Sequence, residues 1–218
     1  MNVNLETIKL NTVKPDIFSE PEVSGSEIWL KNVCFEKGNT YLISSESGKG
    51  KSSLFDFIYC RRNDYSGEIL LDGKAAKTFT ANQRKEIRTN CISLVFQGFR
   101  LFSELTAFEN VEIKNRLTNR KTKKQIVEMF EQMGITAKIN TQLSLLSFGQ
   151  KQRVAIIRAL CQPFDFLLLD EAFSHLDETN YTTACELIVN EVKANNAALL
   201  VASLGEPYKF SYNHKILL

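Results

Sequence analysis

Apolar and polar positions along the chain switch repeatedly between two periods, and the predicted elements switch with them. TYLIS at 40–44 is a short apolar run with β-branched and aromatic content, which predicts a strand. From Lys51 to Cys60 the period lengthens, and Leu54, Phe57 and Ile58 share one face of an expected helix. A strand is predicted at 67–71, between turn signals at Ser66-Gly67 and Asp72-Gly73, as a β-hairpin edge. CISLVF at 91–96 predicts another buried strand. Residues 105–134 predict helix with a basic middle, and Gln150–Leu160 a further helix. FDFLLLD at 164–170 suits the centre of a parallel sheet, buried on both faces. A helix over Glu178–Lys193 and the strand AALLVAS at 197–203 follow, and residues 15–26 form an irregular loop. Strands alternating with helices predict an α/β fold with a mostly parallel sheet and a small antiparallel edge.

Composition narrows the class without naming a chemistry. With 218 residues, 44% hydrophobic and 24% charged, the chain can bury a core without metal or disulfide staples. The net charge is +2, so bulk electrostatics does not favour nucleic acid, and no nucleic-acid partner is expected. Five widely spaced cysteines with no CxxC pair predict free thiols in a reducing compartment. The first ten residues carry Glu6 and no apolar core behind a basic region, so no signal peptide is expected. The longest clean apolar run, Ala197–Ala202, is too short to span a bilayer.

The chemistry concentrates in one loop. Ser45-Glu46-Ser47-Gly48-Lys49-Gly50-Lys51-Ser52 lies between a predicted strand and a predicted helix and matches G-x-x-x-x-G-K-[ST] except at its first position. Small residues let successive N–H groups point at phosphate oxygens, and the following helix adds its free N–H groups and positive end. Lys51 can reach the β- and γ-phosphates, and Ser52 can hold Mg²⁺. Taken alone, Gly-Lys-Ser fits equally well as a serine-rich helix cap.

Two further segments shift the balance. Leu167-Leu168-Leu169-Asp170-Glu171 ends an apolar strand in two carboxylates whose side chains point to opposite faces. Asp170 is expected to face Mg²⁺, and Glu171 to lie near the γ-phosphate and activate water. In Leu146-Ser147-Phe148-Gly149-Gln150, Ser147 and Gln150 have the spacing of a helix capping box. A helix start with serine and glycine is also an anion site.

LSFGQKQRVAIIRAL resembles the signature segment of the ATP-binding-cassette (ABC) ATPases, usually LSGGQ followed by a similar helix. The phosphate loop and LLLDEAFSHLD resemble that family's Walker A, Walker B and D-loop. ISLVFQGFRLFSELTAFENV resembles its Q-loop stretch. The resemblance covers roughly residues 27–218. It implies a P-loop NTPase core with a helical insert at about 98–150, all in one domain spanning 1–218. It implies ATP and Mg²⁺ as ligands, and a head-to-tail dimer with ATP between the Walker A of one copy and the signature of the other. Ser45, Glu46, Ser47, Gly48, Lys49, Gly50, Lys51, Ser52 and Ser53 are then the phosphate-binding segment. Gln97 is expected to touch Mg²⁺ or the lytic water, and Glu171 to be the general base. Ser147 and Gly149 are expected at the γ-phosphate across the interface, Asp177 at the dimer seam, and Phe18 against adenine.

Three departures stand out against this resemblance. Ser45 replaces the first loop glycine, which suggests a stiffer start or unusual dihedrals. Phe148 replaces the first signature glycine. The family's switch histidine follows the strand after Walker B, where Ser203 is expected to align, and His175 and His214 are both elsewhere. Losing one positioned transition-state contact removes roughly 10²–10³ in rate, so a slow ATPase is expected. Compact size and the Q-loop stretch look most like the bacterial lipoprotein-release, macrolide-export and cell-division cassettes, which act with a separate integral membrane permease. Few residues follow Ser203, so no regulatory tail is expected. The expected location is the cytoplasm, peripheral on the inner face of the cell membrane. The alternatives are a soluble cassette regulating translation or nucleic acid, and a degenerate cassette acting as an ATP-gated regulator. Lys114, Arg116, Arg120, Lys121, Lys123 and Lys124 form a basic run, read as a solvated face or an attraction to anionic lipid.

Overall fold

The structure is a computed structural model, and it describes residues 4–204 and 209–218. Two sheets organise it. Strands β1 (Thr7–Pro15), β2 (Asn32–Glu36), β4 (Tyr65–Leu71) and β5 (Lys74–Ala75) form an antiparallel sheet in the order β2-β1-β4-β5. Strands β3 (Thr40–Ser44), β6 (Ile92–Val95), β7 (Phe166–Asp170), β8 (Ala198–Ser203) and β9 (His214–Leu217) form the second, in the order β6-β7-β8-β3-β9. All four pairings of the second sheet are parallel.

The apolar strands predicted for this sheet are buried because both faces are covered. Leu167, Leu169, Leu199 and Val201 pack with helices α5 (Phe148–Leu160) and α6 (Glu178–Ala194). Phe166, Leu168, Ala198 and Leu200 point the other way, into the cluster of α1 (Lys51–Ile58) and the antiparallel sheet. Alternation along each strand therefore divides one apolar run between two cores. No helix among the described residues is long and apolar enough to cross a membrane.

Several expectations change in detail. The helical stretch 105–134 is two helices, α3 (Ala107–Asn115) and α4 (Lys123–Gln132). The Asn115 side chain closes the break, accepting from Lys121 N and donating to Lys121 O. Thr122 then opens α4 with its own capping box to Gln125. Ser66-Gly67 is not a turn but lies inside β4. There Gly67 has φ 77°, and an added Cβ would sit 2.4 Å from Thr12 O, beside a register shift between β1 and β4. The turn at Asp72-Gly73 holds, with φ of 45° and 76°. Strands β1, β2 and β9, and α2 (Ala81–Asn90), have no counterpart in the predicted elements.

The basic run is tied inward more than it is free. Lys121 pairs with Glu191 at 2.6 Å, Arg120 donates to Asn195, and Lys114 donates to Arg88 O. Arg116 and Lys124 pair with Glu112 and Glu128 one helical turn away. All five cysteines are free thiols, and only Cys34 is exposed.

Candidate functional site

The C-terminal ends of β3, β7 and β8 lie side by side, with Ser44 opposite Ser203 and Asp170 opposite Ala202. Ligands of open α/β sheets bind at this edge. The loop after β3, the carboxylates after β7 and the end of β8 are thereby gathered from three distant parts of the chain.

The phosphate loop turns on its glycines. Gly48 and Gly50 have φ of 81° and 98°, while Ser45 is not among the residues with positive φ. The substitution at Ser45 thus needs no unusual dihedral, because the strained positions fall on residues without a Cβ. Lys51 begins α1 and folds back over the loop, donating to Ser45 O at 3.0 Å, Ser45 Oγ at 3.1 Å and Glu46 O at 3.0 Å. Its Nζ lies 3.8 Å from Glu171 Oε1. Burial lowers the Lys51 pKa, opposed by the charges of Glu171 and Asp170. Trp29 holds the loop from behind, its Nε1 donating to Lys49 O at 3.1 Å. An added Cβ on Gly50 would meet the rings of Phe18 at 3.0 Å and Trp29 at 3.2 Å.

Asp170 and Glu171 occupy different environments. Asp170 is 6% exposed, and burial raises its pKa to about 6 despite the Ser52 hydroxyl beside it. Its Oδ1 is buried without a hydrogen-bond partner. An orphaned carboxylate oxygen next to a hydroxyl is an oxygen-only donor set that fits Mg²⁺. Glu171 has φ 50° and accepts at Oε2 from Gln97 Nε2 at 2.9 Å. Gln97, expected at the metal or the lytic water, is therefore placed against the carboxylate expected to be the base.

A cleft of about 360 Å³ joins Lys51, Gln97 and Glu171, while Asp170 is not among its lining residues. Its floor is Gly48, Gly50, Lys51, Ser52 and Ser53, with Gln97 and Glu171 at one side and Ile17 and Phe18 at another. Ser47 and Arg62 complete it. Phe18, named from sequence, lies beside the phosphate loop. Glu46 and Lys49 face a neighbouring hollow with Trp29 and Glu22.

Ser147, Gly149 and Asp177 do not line this cleft. Ser147 caps α5, exchanging hydrogen bonds with Gln150 at 3.0 and 3.3 Å. Gly149 is required by close approach, since an added Cβ would lie 2.8 Å from His175 O. Phe148 is 65% exposed and stacks on His175, with centroids 5.4 Å apart. Asp177 caps α6 through Asn180 N, and bonds with Asn180 hold its carboxyl below the usual range. Ser203 lies inside β8, 2% exposed, its carbonyl accepting from Ser45 N. The position that follows the strand is Leu204, 49% exposed.

Sequence reasoning passed over Trp29, Arg62 and Gln152. Gln152 is 2% exposed on α5, donates to Glu171 O at 3.4 Å and accepts from His175 N at 3.0 Å. It ties the signature helix to the carboxylate loop. A polar residue on the core-facing side of a helix was the available signal. Trp29 and Arg62 act through tertiary contacts and left none.

Residues 31–174 match the family described as ABC transporter. The lipoprotein-releasing system ATP-binding protein of Buchnera aphidicola is 30% identical over 208 residues, covering 93% of this chain and 89% of that protein. The methionine import ATP-binding protein of Lactobacillus acidophilus is 33% identical over 207 residues, covering 90% of this chain and 58% of that protein. The macrolide export ATP-binding/permease protein of Mannheimia succiniciproducens is 33% identical over 164 residues, covering 73% of this chain and 26% of that protein. The chain thus spans little more than half, or less, of the last two. Among solved structures, a dimeric ATP-binding cassette in a post-hydrolysis state with ADP and phosphate superposes with a TM-score of 0.76. It is 28% identical and covers 91% of this chain and 88% of its own.

Proposed function

We propose, from the premise that the chain belongs to the ABC transporter family of ATP-binding cassettes, that it binds Mg–ATP in the cleft above α1 and hydrolyses it. The observation that carries this is the meeting of Lys51, Gln97 and Glu171 at one cleft, with the Gln97 amide on the Glu171 carboxylate at 2.9 Å.

In this reading the loop N–H groups and the start of α1 hold the phosphates, and Lys51 exchanges its carbonyl partners for β- and γ-phosphate oxygens. Phe18 stacks on the base. Asp170, Ser52 and Gln97 hold Mg²⁺, which supplies charge neutralisation on the phosphate oxygens. Glu171 accepts a proton from the attacking water as its oxygen bonds to the γ-phosphorus, and ADP leaves with the bridging oxygen. Ser45, Glu46, Ser47 and Lys49 shape the loop, and Ser53 supports the α-phosphate side.

The signature residues lie outside the cleft of their own copy, which supports a head-to-tail dimer in which Ser147 and Gly149 reach the partner copy's γ-phosphate. Asp177 then lies at the seam. That a solved neighbour is dimeric and bound to ADP and phosphate supports a dimer here. A relative named as the ATP-binding protein of a lipoprotein-releasing system supports a cassette that drives a separate membrane permease from the cytoplasmic face. A slow cycle is part of the proposal, because Phe148 and Ser203 stand where the family resemblance expects a glycine and a histidine.

Two measurements test it. Purified chain should bind Mg–ATP in calorimetry and release phosphate slowly, and absence of both refutes the proposal. Affinity purification from detergent-solubilised membranes should recover a multi-span protein, and recovery of ribosomes or nucleic acid instead would favour a soluble regulator.

A further inference from the structure

Arg62 lies just past α1, in a segment that sequence motifs left unassigned. Its Nε donates to Asp64 Oδ1 at 2.9 Å, its Nη2 donates to Asp64 Oδ2, and its Nη1 donates to Ser53 Oγ at 3.2 Å. The guanidinium also lies 5.3 Å from the centroid of the Phe57 ring. Three directional bonds and a ring fix a side chain that otherwise has many rotamers, so little ordering remains to be done on binding.

This fixed fork lines the same cleft as Lys51, Gln97 and Glu171. Among the described residues lining that cleft, Lys51 and Arg62 are the cations. Lys51 lies 3.8 Å from Glu171, so the lining of the cleft without Arg62 would carry one positive and one negative charge. A polyphosphate entering such a site would meet no net positive charge from side chains. Arg62 adds a second cation, and it sits on Ser53 in the first turn of α1, where free backbone N–H groups already favour an anion. Asp64 pairs with the Nε and Nη2 edge of the fork and does not occupy its other N–H groups.

We propose that Arg62 is a second phosphate-binding cation of the nucleotide cleft, oriented by Asp64, and that it contacts a phosphate shared by ADP and ATP. The assignment rests on the nucleotide-site reading above. It places Arg62 at the Ser53 side of the triphosphate. The remaining N–H groups of Nη1 and Nη2 are the donors available to phosphate oxygen.

Calorimetric titration of Mg–ATP and Mg–ADP into the full chain tests it, with Arg62→Gln, Arg62→Lys and Asp64→Asn beside wild type. Arg62→Gln should weaken both nucleotides about tenfold and in parallel, the size of one charge-assisted hydrogen bond. Its Kd should also depend less steeply on salt than that of wild type, because a charge contact has been removed. Arg62→Lys should recover part of the loss, and Asp64→Asn should lose less than Arg62→Gln. A loss for ATP alone, or unchanged affinity for both nucleotides, overturns the assignment while leaving the nucleotide site standing. A parallel loss with unchanged salt dependence also overturns it, as the mark of a purely structural role. If wild type binds neither nucleotide, the nucleotide-site reading fails and Arg62 with it.

Discussion

Gln97 and Glu171 stand 74 residues apart and share a hydrogen bond of 2.9 Å at the end of the parallel sheet. The bond joins the loop that leads into the helical insert to the carboxylate proposed as the general base. Glu171→Gln keeps the shape and an acceptor oxygen for Gln97 but cannot take a proton. Steady-state turnover should fall by about 10²–10⁴, with Mg–ATP affinity within a few-fold of wild type. Gel filtration with Mg–ATP should show a trapped dimer, and a variant that hydrolyses at the wild-type rate removes Glu171 from the mechanism.

Lys51 is buried with its ammonium on three loop oxygens. Lys51→Ala should weaken Mg–ATP by roughly ten- to a hundredfold, the scale of losing charged hydrogen bonds to phosphate. Near-native affinity in calorimetry would exclude the loop as the phosphate site.

Ser203 ends β8 and is buried beside Ser44 and Ser45. Ser203→His should raise the maximal ATPase rate about tenfold, equivalent to about 1.36 kcal/mol of transition-state stabilisation. Imidazole is larger than the hydroxymethyl group it replaces, so the variant should also lose some stability. Steady-state kinetics with Ser203→Ala as control, beside melting curves, decide the matter. If Ser203→Ala slows the enzyme strongly and Ser203→His does not speed it, serine is an adapted catalytic residue.

Asp170 is raised to about 6 by burial, above the range of an exposed aspartate. The native state therefore holds its proton more tightly than the unfolded chain, and this contribution to stability falls as pH rises from about 4 to 6. Asp170→Asn removes that loss. The variant should match wild type near pH 4 and exceed it at pH 7 by at most ~3 kcal/mol without nucleotide. Denaturant unfolding at the two pH values measures this, and a variant less stable at pH 7 than at pH 4, relative to wild type, contradicts it. Mg–ATP affinity of the wild type should fall below pH 6 as the carboxylate protonates.

Gly149 is held against the His175 carbonyl. Gly149→Ala should cost about 1–3 kcal/mol, since the obstacle is backbone and not the end of a flexible side chain. It should also slow turnover by displacing the segment between Glu171 and α6. Unchanged Tm and turnover together would show that the two segments separate freely.

The sequence by itself determined the elements whose burial is two-sided or whose starts carry a cap. The apolar runs of β3, β7 and β8, the loop from Ser45 to Ser52 and the Ser147–Gln150 box are local patterns, and each was found where it was expected. The strands β1 and β2 carry a weaker, half-buried alternation that does not mark them as strands in the sequence, although Ile8, Leu10 and Phe35 are fully buried once the sheet forms. The break after Asn115 depended on one side chain reaching Lys121, which period alone does not reveal. Tertiary structure decided what local pattern has no means to carry. Parallel pairing set the ends of β3, β7 and β8 side by side, and only that brought Arg62, Gln97 and Glu171 to one cleft. Register decided that Ser203 ends inside a strand, and close backbone approach decided why Gly149 must lack a Cβ. These are relations between segments distant in sequence, fixed by packing and hydrogen bonding across the sheet.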